Sequence, residues 1–449
     1  MRLQRDPSQA GFSMVELMVA LVLGVILTSG VISVFISSKN TYNTNNSLGQ
    51  VEEGGRYALN FMQPILSMAG NTGCSRTGDS RRQNGFNDFI FSTAIAPAYA
   101  SAAPYAPMYN FGVPVFGYEA TGTGINATIP SNGGETVSGG VETYPTPDTT
   151  ATDWSPALNW NDPKNVLSGA LNVNAVGGVL KYNDVLMVHE ALTTTAIGGG
   201  AASVIAPGSD GAAVYVPAST SSATVTAANF NVGEFAIAST CTNLAAAFQI
   251  TSITGSSGTL GYAAAPPTGT PGNSGGQSIT GINASGYSVL PASTYVFYVG
   301  QGADKGPALF EGFLATSGAN AGKFVTEQLV SGVENMQVLY GVDTDQDQIP
   351  NYYATADQVQ SGDGGVGANP SWASGIGGNA DWGRVVSVRV SLVMQSDNNA
   401  IDKASASTTN VYMLGSGRGY TDNTILATPA DQRMRRIFVE TFSFRNVLP

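Results

Sequence analysis

Reactive and positively charged side chains are scarce in this sequence. Its 449 residues hold one histidine, His189, and two cysteines, Cys74 and Cys241, and charged residues make up 11% of the chain. The formal net charge of -12 leaves no basic stripe to neutralise phosphates, which excludes nucleic acid as a partner of the folded domain. Two cysteines far apart in sequence are too few for a zinc cage. The lone histidine lies in the apolar run Asp184 to Glu190, where a core or surface histidine is the commoner outcome. No Walker A loop is present, so energy for any assembly must come from a separate ATPase. The one G-x-S-x-G match, Gly272 to Gly276, sits in a Gly-rich loop with no helical pattern after it, which argues against a nucleophile elbow. The chain therefore reads as a non-enzyme without a resident organic cofactor.

What it does have is one long apolar run. Met14 to Ile36 is helical in composition apart from Gly24 and Gly30, and it carries a single charge, Glu16. At 1.5 Å per residue such a run reaches about 30 Å or slightly more, enough to cross a bilayer. Arg2 and Arg5 precede it, so the N-terminus is expected to stay cytoplasmic while the bulk of the chain crosses. A cleaved secretory signal would be shorter, and a plain anchor leaves Glu16 unexplained, since a carboxylate in that setting costs on the order of 3 kcal/mol.

The stretch Gly11, Phe12, Ser13, Met14, Val15, Glu16, Leu17 resembles the class III signal of type IV prepilins and type II secretion pseudopilins. The resemblance implies cleavage after Gly11 by a prepilin peptidase, N-methylation of Phe12, and a role in assembly for Glu16, the fifth residue of the mature chain. The new α-amino group of Phe12 is a cation that pairs with Glu16 of a neighbouring helix in low dielectric. In the periplasm that this implies, Cys74 and Cys241 are either bridged or two buried thiols; a bridge across so long a loop is worth roughly 5 kcal/mol by chain entropy.

Beyond the membrane segment, Val51, Tyr57, Ala58, Phe61, Ile65 and Leu66 recur at mostly three- and four-residue steps, so the helix is predicted to continue as a stalk over 37–70. Gly54 and Gly55 lower its propensity, and Pro64 should bend or weaken it near the end. The 55 glycines and the abundance of Ala, Ser, Thr and Asn point to a β-rich exported domain with long loops. From 85 to 286 the only cations are Lys164 and Lys181, and strands are expected at Asp184 to Glu190, Phe235 to Ser239 and Phe248 to Ile253. This region reads as a loop-rich insertion, with Thr121 to Thr152 mobile for want of apolar side chains. Tyr99, Tyr105 and Tyr109 with Pro104 and Pro107 are packed loop aromatics or, alternatively, an exposed recognition loop. The sheet of the C-terminal part, 287–449, includes a half-buried strand through Val386, Val388, Val390, Leu392 and Met394. An interior strand is expected through Arg436 to Phe444, and Phe324 to Tyr340 reads as helix or strand leading into a strand at Met336.

Leu329 to Tyr353, Asp381 to Ser396 and Arg433 to Asn446 resemble the C-terminal motifs of PilW-type minor pilins, relatives of the J-type minor pseudopilins. The runs around Cys74 and Cys241 resemble the same family, which favours the disulfide. The implied fold is α+β and type IV pilin-like: leader 1–11, transmembrane helix 12–36, stalk 37–70 and a β-rich globular domain 71–449. The implied role is priming of type IV pilus assembly near the tip, in support of twitching motility and adhesion. The implied partners are other minor pilins, the major pilin, the prepilin peptidase and the inner-membrane assembly platform. The alternatives are a tip adhesin whose middle region binds a surface or glycan, and a type II secretion minor pseudopilin.

One acidic loop raises a metal question. Asp343, Asp345 and Asp347 occupy positions 1, 3 and 5 of a calcium loop, with the Ile349 carbonyl at position 7 and Asn351 at position 9. Position 6 is Gln348 instead of Gly, and position 12 is Ala354, so the bidentate Glu is missing unless Asp357 reaches back. Ca2+ binding and a solvated acidic turn both remain open on this pattern.

Overall fold

The computed structural model describes residues 13–73, 86–88, 108, 111–124, 126–130, 136–138, 141–143, 153–155, 178–191, 197–198, 206–208, 211–215, 230–240, 245–254, 259–262, 287–314, 324–343, 347–361, 382–396, 410–412, 424–427 and 433–445. A single helix, α1 (Met14–Ser67), carries both the apolar run and the stalk without a break. At 54 residues it extends about 80 Å. Pro64 falls in its last turn, so the helix closes at Ser67 and the Met68 amide donates back to the Pro64 and Ile65 carbonyls at 3.2 Å.

The stripe that docks differs in part from the one read from spacing. Ser47, Val51, Gly55, Ala58, Leu59, Met62 and Leu66 are buried, whereas Tyr57 faces outward and Phe61 and Ile65 are only partly covered. Large aromatic residues dominated the apparent periodicity; the seat itself is made by small and flexible side chains. Gly54 and Gly55 explain why. A methyl on Gly54 would stand 2.9 Å from the Met394 Cε, and one on Gly55 would enter the Phe438 ring. The two glycines lower helix propensity but let the sheet approach the helix backbone.

Among the described residues, strands build five sheets. The largest runs in the order β1 (Phe86–Asp88), β12 (Ala245–Gln249), β11 (Phe235–Thr240), β15 (Tyr287–Gln301), β7 (Val185–Ala191), β2 (Val115–Ala120), β6 (Trp154–Ser155), with β8 (Ile197–Gly198) and β16 (Pro307–Leu314) on β15 and β17 (Phe324–Ser331) on β16. A second sheet has the order β19 (Tyr352–Ala354), β18 (Val333–Val342), β20 (Val385–Gln395), β23 (Arg435–Ser443). A third joins β21 (Asn410–Tyr412), β22 (Ile425–Ala427) and β3 (Thr128–Pro130). β13 (Ser252–Thr254), β14 (Thr259–Tyr262), β10 (Gly211–Tyr215) and β9 (Ala206–Gly208) form a fourth, and β4 (Thr136–Ser138) with β5 (Val141–Thr143) a hairpin. Most pairs are antiparallel, and β1–β12 and β22–β3 are parallel. With the long N-terminal helix, this is an α+β architecture.

Several expectations change. The sheets do not divide at residue 287: β15 pairs through Tyr287–Ala292 with β11 and through Ala292–Phe297 with β7, so strands of the expected insertion are central to the main sheet. The run Phe248 to Ile253 falls in two elements, the end of β12 and the start of β13, because the chain leaves one sheet for another at Ile250 and Thr251. Phe324 to Tyr340 is likewise two strands in two sheets, parted at Gly332. β20 is buried on both faces, Ser387 and Ser391 included, because Ile129 and Leu426 of the third sheet pack on Leu339 and Val393. That covering layer comes from distant sequence, so alternation within one strand could not reveal it. Among the described residues β23 lies at the edge of its sheet, paired only with β20, and Phe438 and Phe442 face the core beside α1. Its double apolar pattern reflects an exposed Val439 on the other face. Within Thr121–Thr152, Thr123 and Ile129 are buried, so this stretch holds anchored positions.

Candidate functional site

The apolar half of α1 is the site's first part. From Met14 to Ile36 every residue is exposed, and no described residue of the domain touches the most apolar part of the span, whose mean hydropathy is 2.6. Exposed Leu, Ile, Val and Phe over more than five turns are not stable in water and demand a bilayer or neighbouring helices. Thr28 donates to the Gly24 carbonyl at 2.7 Å, which satisfies its hydroxyl within the helix.

Glu16 has a local task in the single chain. Ser13 is the N-cap; its hydroxyl accepts from the Val15 amide at 3.3 Å, and the Glu16 Oε2 accepts from the Ser13 amide at 3.0 Å. These contacts form a capping box that satisfies helix-end donors. The sequence reading missed this role, although Ser followed by Glu at the third position is its ordinary signature. The other Glu16 oxygen has no partner among the described residues. Gly11 and Phe12 lie outside the described residues.

The second part is the seat at the far end of the helix. Gly70, at φ +71°, turns the chain so that its amide donates to the His189 carbonyl at 2.7 Å. Asn71 then pairs with the end of β7: its Nδ2 donates to the Ala191 carbonyl at 2.7 Å, and its own carbonyl accepts from the Ala191 amide at 2.8 Å. The helix is thereby tied to a central strand. His189 is part of this core, buried with its ring set edge-on to Phe111 at 5.8 Å. Beside it, burial and then the Glu311 charge push the Glu190 carboxyl up to about 8. Midway along the stalk, Glu52 pairs with Arg436 of β23 and, at 3.6 Å, with Arg56. Below it, the Arg435 Nε reaches the buried Glu334 Oε2 at 2.6 Å and its Nη2 reaches Oε1 at 3.3 Å, locking β23 across to β18.

The acidic loop is built from its own amides where it is described. The buried Asp343 accepts from the Gln348 amide at 2.9 Å and Asp347 from the Ile349 amide at 2.8 Å, while the Asn351 amide donates to the Val342 carbonyl. Gln348 adopts φ +67°, the turn that a glycine would normally supply. Among the described residues no three carboxylate, imidazole or thiolate groups converge on a metal-sized space. Asp345 lies outside the described residues, as do Cys74 and Cys241, Tyr99, Tyr105 and Tyr109, and the Gly272–Gly276 run.

Comparison with known proteins accords with both ends of the chain. Residues 6–32 match the prokaryotic N-terminal methylation motif, and residues 296–446 match the type IV pilus-assembly protein W. No curated protein gives a significant match. Among solved structures, a type IV-like pilin from Thermus thermophilus is similar at 15% identity, over 35% of this chain and 67% of that one, with a TM-score of 0.21, too slight a likeness to carry an argument. The resemblance to the PilW-type minor pilins, read from the motifs at the two ends, is borne out by the two matches.

Proposed function

We propose that this PilW-type minor pilin primes type IV pilus assembly together with other minor pilins and stays at or near the tip, supporting twitching and adhesion. The precursor spans the inner membrane once with its domain in the periplasm, is cut after Gly11 by the prepilin peptidase and is methylated on Phe12. The assembly platform then passes it, with the major pilin, into the fibre. The observation that carries the reading is the division of α1: one half is apolar and wholly exposed, the other is bonded to the domain through Glu52 and, just past its end, through Asn71. Such a helix presents a hydrophobic rod to its neighbours while the domain stays fixed to it. The size of the domain favours few copies over the repeated stacking of a shaft.

Glu16 supplies the test. One of its oxygens caps the helix through Ser13, and the other, without a partner among the described residues, is the one this reading assigns to the Phe12 amine of an adjacent subunit. Glu16→Gln keeps the capping box, because glutamine fills the same position, but removes the charge. Surface pili are counted in strains carrying Glu16→Gln and Glu16→Ala, with processed protein measured in parallel. Loss of pili with both variants at normal processing supports charge pairing in assembly. Unchanged pili with Glu16→Gln sink that pairing and leave Glu16 as a cap. Co-purification with pilin or with pseudopilin partners separates the pilus from the secretion machinery.

A further inference from the structure

One arginine of the second sheet stands without a counter-charge, and its surroundings define what would fit it. Arg389 lies midway along β20, with Leu339 of β18 directly across on one side and Thr441 of β23 on the other. On the same face the surrounding positions are Gln337, Gly341, Ser387, Ser391, Val439 and Ser443, none of them charged. The chain holds 31 Asp and Glu against 19 Lys and Arg, so carboxylates are plentiful. Arg435, Arg436 and Arg56 each reach one, in Glu334 or Glu52. Among the described residues Arg389 makes no ion pair, and its Nε is sealed from water without an acceptor. The side chain as a whole is half-buried, so its outer end meets solvent. Arginine is rarely covered without a partner, because a guanidinium that loses water must regain its bonds elsewhere.

The positions beside it are rich in hydroxyls. Thr441 and Ser443 are exposed. Gly341 has no side chain, and a methyl there would run into the Ser387 Oγ. Tyr353, paired with Gly341, uses that room: its hydroxyl accepts from the Ser387 Oγ at 3.4 Å. Ile129 and Leu426 of the third sheet cover Leu339 and Val393, and Thr441 stays open beside that cover. Neighbouring strands lie about 4.8 Å apart and same-face residues about 7 Å, so the patch from Arg389 and Thr441 to Ser387 and Ser443 is about one sugar ring across. Phe438 and Phe442 of β23 point to the core beside α1, so alternation puts Thr441 and Arg389 on the side away from the helix.

We propose that Arg389 anchors a binding site for an acidic saccharide, its guanidinium taking the sugar's carboxylate while Thr441, Ser443 and Tyr353 bond the ring hydroxyls. A guanidinium matches a carboxylate through two parallel N–H···O bonds, which supplies the missing counter-charge. Hydroxyls that both donate and accept suit a sugar better than a bare oxyanion, which only accepts. The position of the site also favours a ligand from the medium over a neighbouring subunit. Where the α1 rods pack together in a fibre, the face away from α1 looks outward. That placement rests on the minor-pilin reading, whereas the unpaired charge and its hydroxyls do not.

The test is equilibrium dialysis of the full chain in detergent micelles against glucuronate, glucose and inorganic phosphate, at low salt so that the charge is not screened. Wild type is expected to bind glucuronate saturably and about tenfold or more tighter than either of the others. Arg389→Leu is expected to lose about tenfold or more of that affinity. No saturable binding of glucuronate, or equal binding by Arg389→Leu, overturns the site, and phosphate bound as tightly as glucuronate overturns the saccharide. Should Arg389→Leu not fold, the exposed Thr441→Val carries the decision: glucuronate binding weakened about threefold or more is expected, and an unmoved affinity overturns the proposal. Because dialysis reads the isolated chain, its outcome is separate from the pilus counts with the Glu16 variants. Pili in a strain carrying folded Arg389→Leu are expected to be normal; their loss would give Arg389 to a carboxylate of a neighbouring subunit and overturn the saccharide.

Discussion

At Gly332 a single residue decides where the chain changes sheets. It sits at φ +80°, and a methyl there would lie 2.7 Å from the Gln395 carbonyl oxygen. The flanking amides confirm a tight joint: Gly332 donates to the Pro307 carbonyl at 2.8 Å and accepts from the Gln395 amide at 2.7 Å. Gly332→Ala is expected to cost about 1–3 kcal/mol, from the left-handed backbone and the clash together, read as a lower urea midpoint for the full chain. The Arg435–Glu334 pair gives a second residue-scale expectation. Both side chains are buried, so Glu334→Ala leaves a guanidinium without its partner and should cost about 3–5 kcal/mol in the same assay. The sequence held no sign of either. A glycine between two strands and an arginine near the C-terminus are common, and their weight comes from Gln395 and Glu334, which the fold brings to them.

At the scale of the element, α1 is one helix with two environments. Its extent and its apolar half were legible, because hydropathy over a long window depends on composition alone. Its docking face was only half legible, because Gly55 and Met62 contribute contact without a strong periodic signal. Gly55→Leu should drive the side chain into Phe438 and loosen the stalk from β23, with a loss of about 1–3 kcal/mol, whereas the solvent-facing Asn60→Leu should stay near neutral. Urea unfolding of the two variants side by side checks this. Strand membership also bears on the adhesin alternative. Removing residues 120–283 would take β7, β11 and β12 out of the main sheet, so lost piliation in such a deletion would report a broken fold. Substitutions confined to exposed positions are the sound way to ask whether the middle region binds a surface.

Across the whole molecule, acidity is stored inside as well as outside. Burial holds Glu190 and Glu234 at about 8 and Glu311 at about 7, with neighbouring glutamates adding to the rise at Glu190 and Glu311. A folded value above the ordinary glutamate value of 4.5 means that the native state binds the proton more tightly than the unfolded chain does. The stabilising contribution of these groups is complete below about pH 4.5 and is lost as pH climbs through 7 and 8. The thermal midpoint of the full chain is therefore expected to fall between about pH 5 and about pH 9, and Glu190→Gln should flatten the fall. A midpoint that rises across this interval would contradict the assignment.

By itself the sequence determined the long apolar helix, the methylation-motif residues around Gly11 and Glu16, the β-rich character of the rest and the family that the C-terminal runs resemble. All of these depend on residues close together in the chain, where composition, spacing and short motifs suffice. Only the tertiary structure decided that β15 binds the middle of the chain into the main sheet, that a third sheet covers β20, that β23 is an edge among the described residues, and that Asp184 ties β2 to β18 through the Ala120 and Val338 amides. Those features are set by contacts across tens to hundreds of residues, and the burial and hydrogen bonds that give them their energy do not exist until the chain has closed on itself.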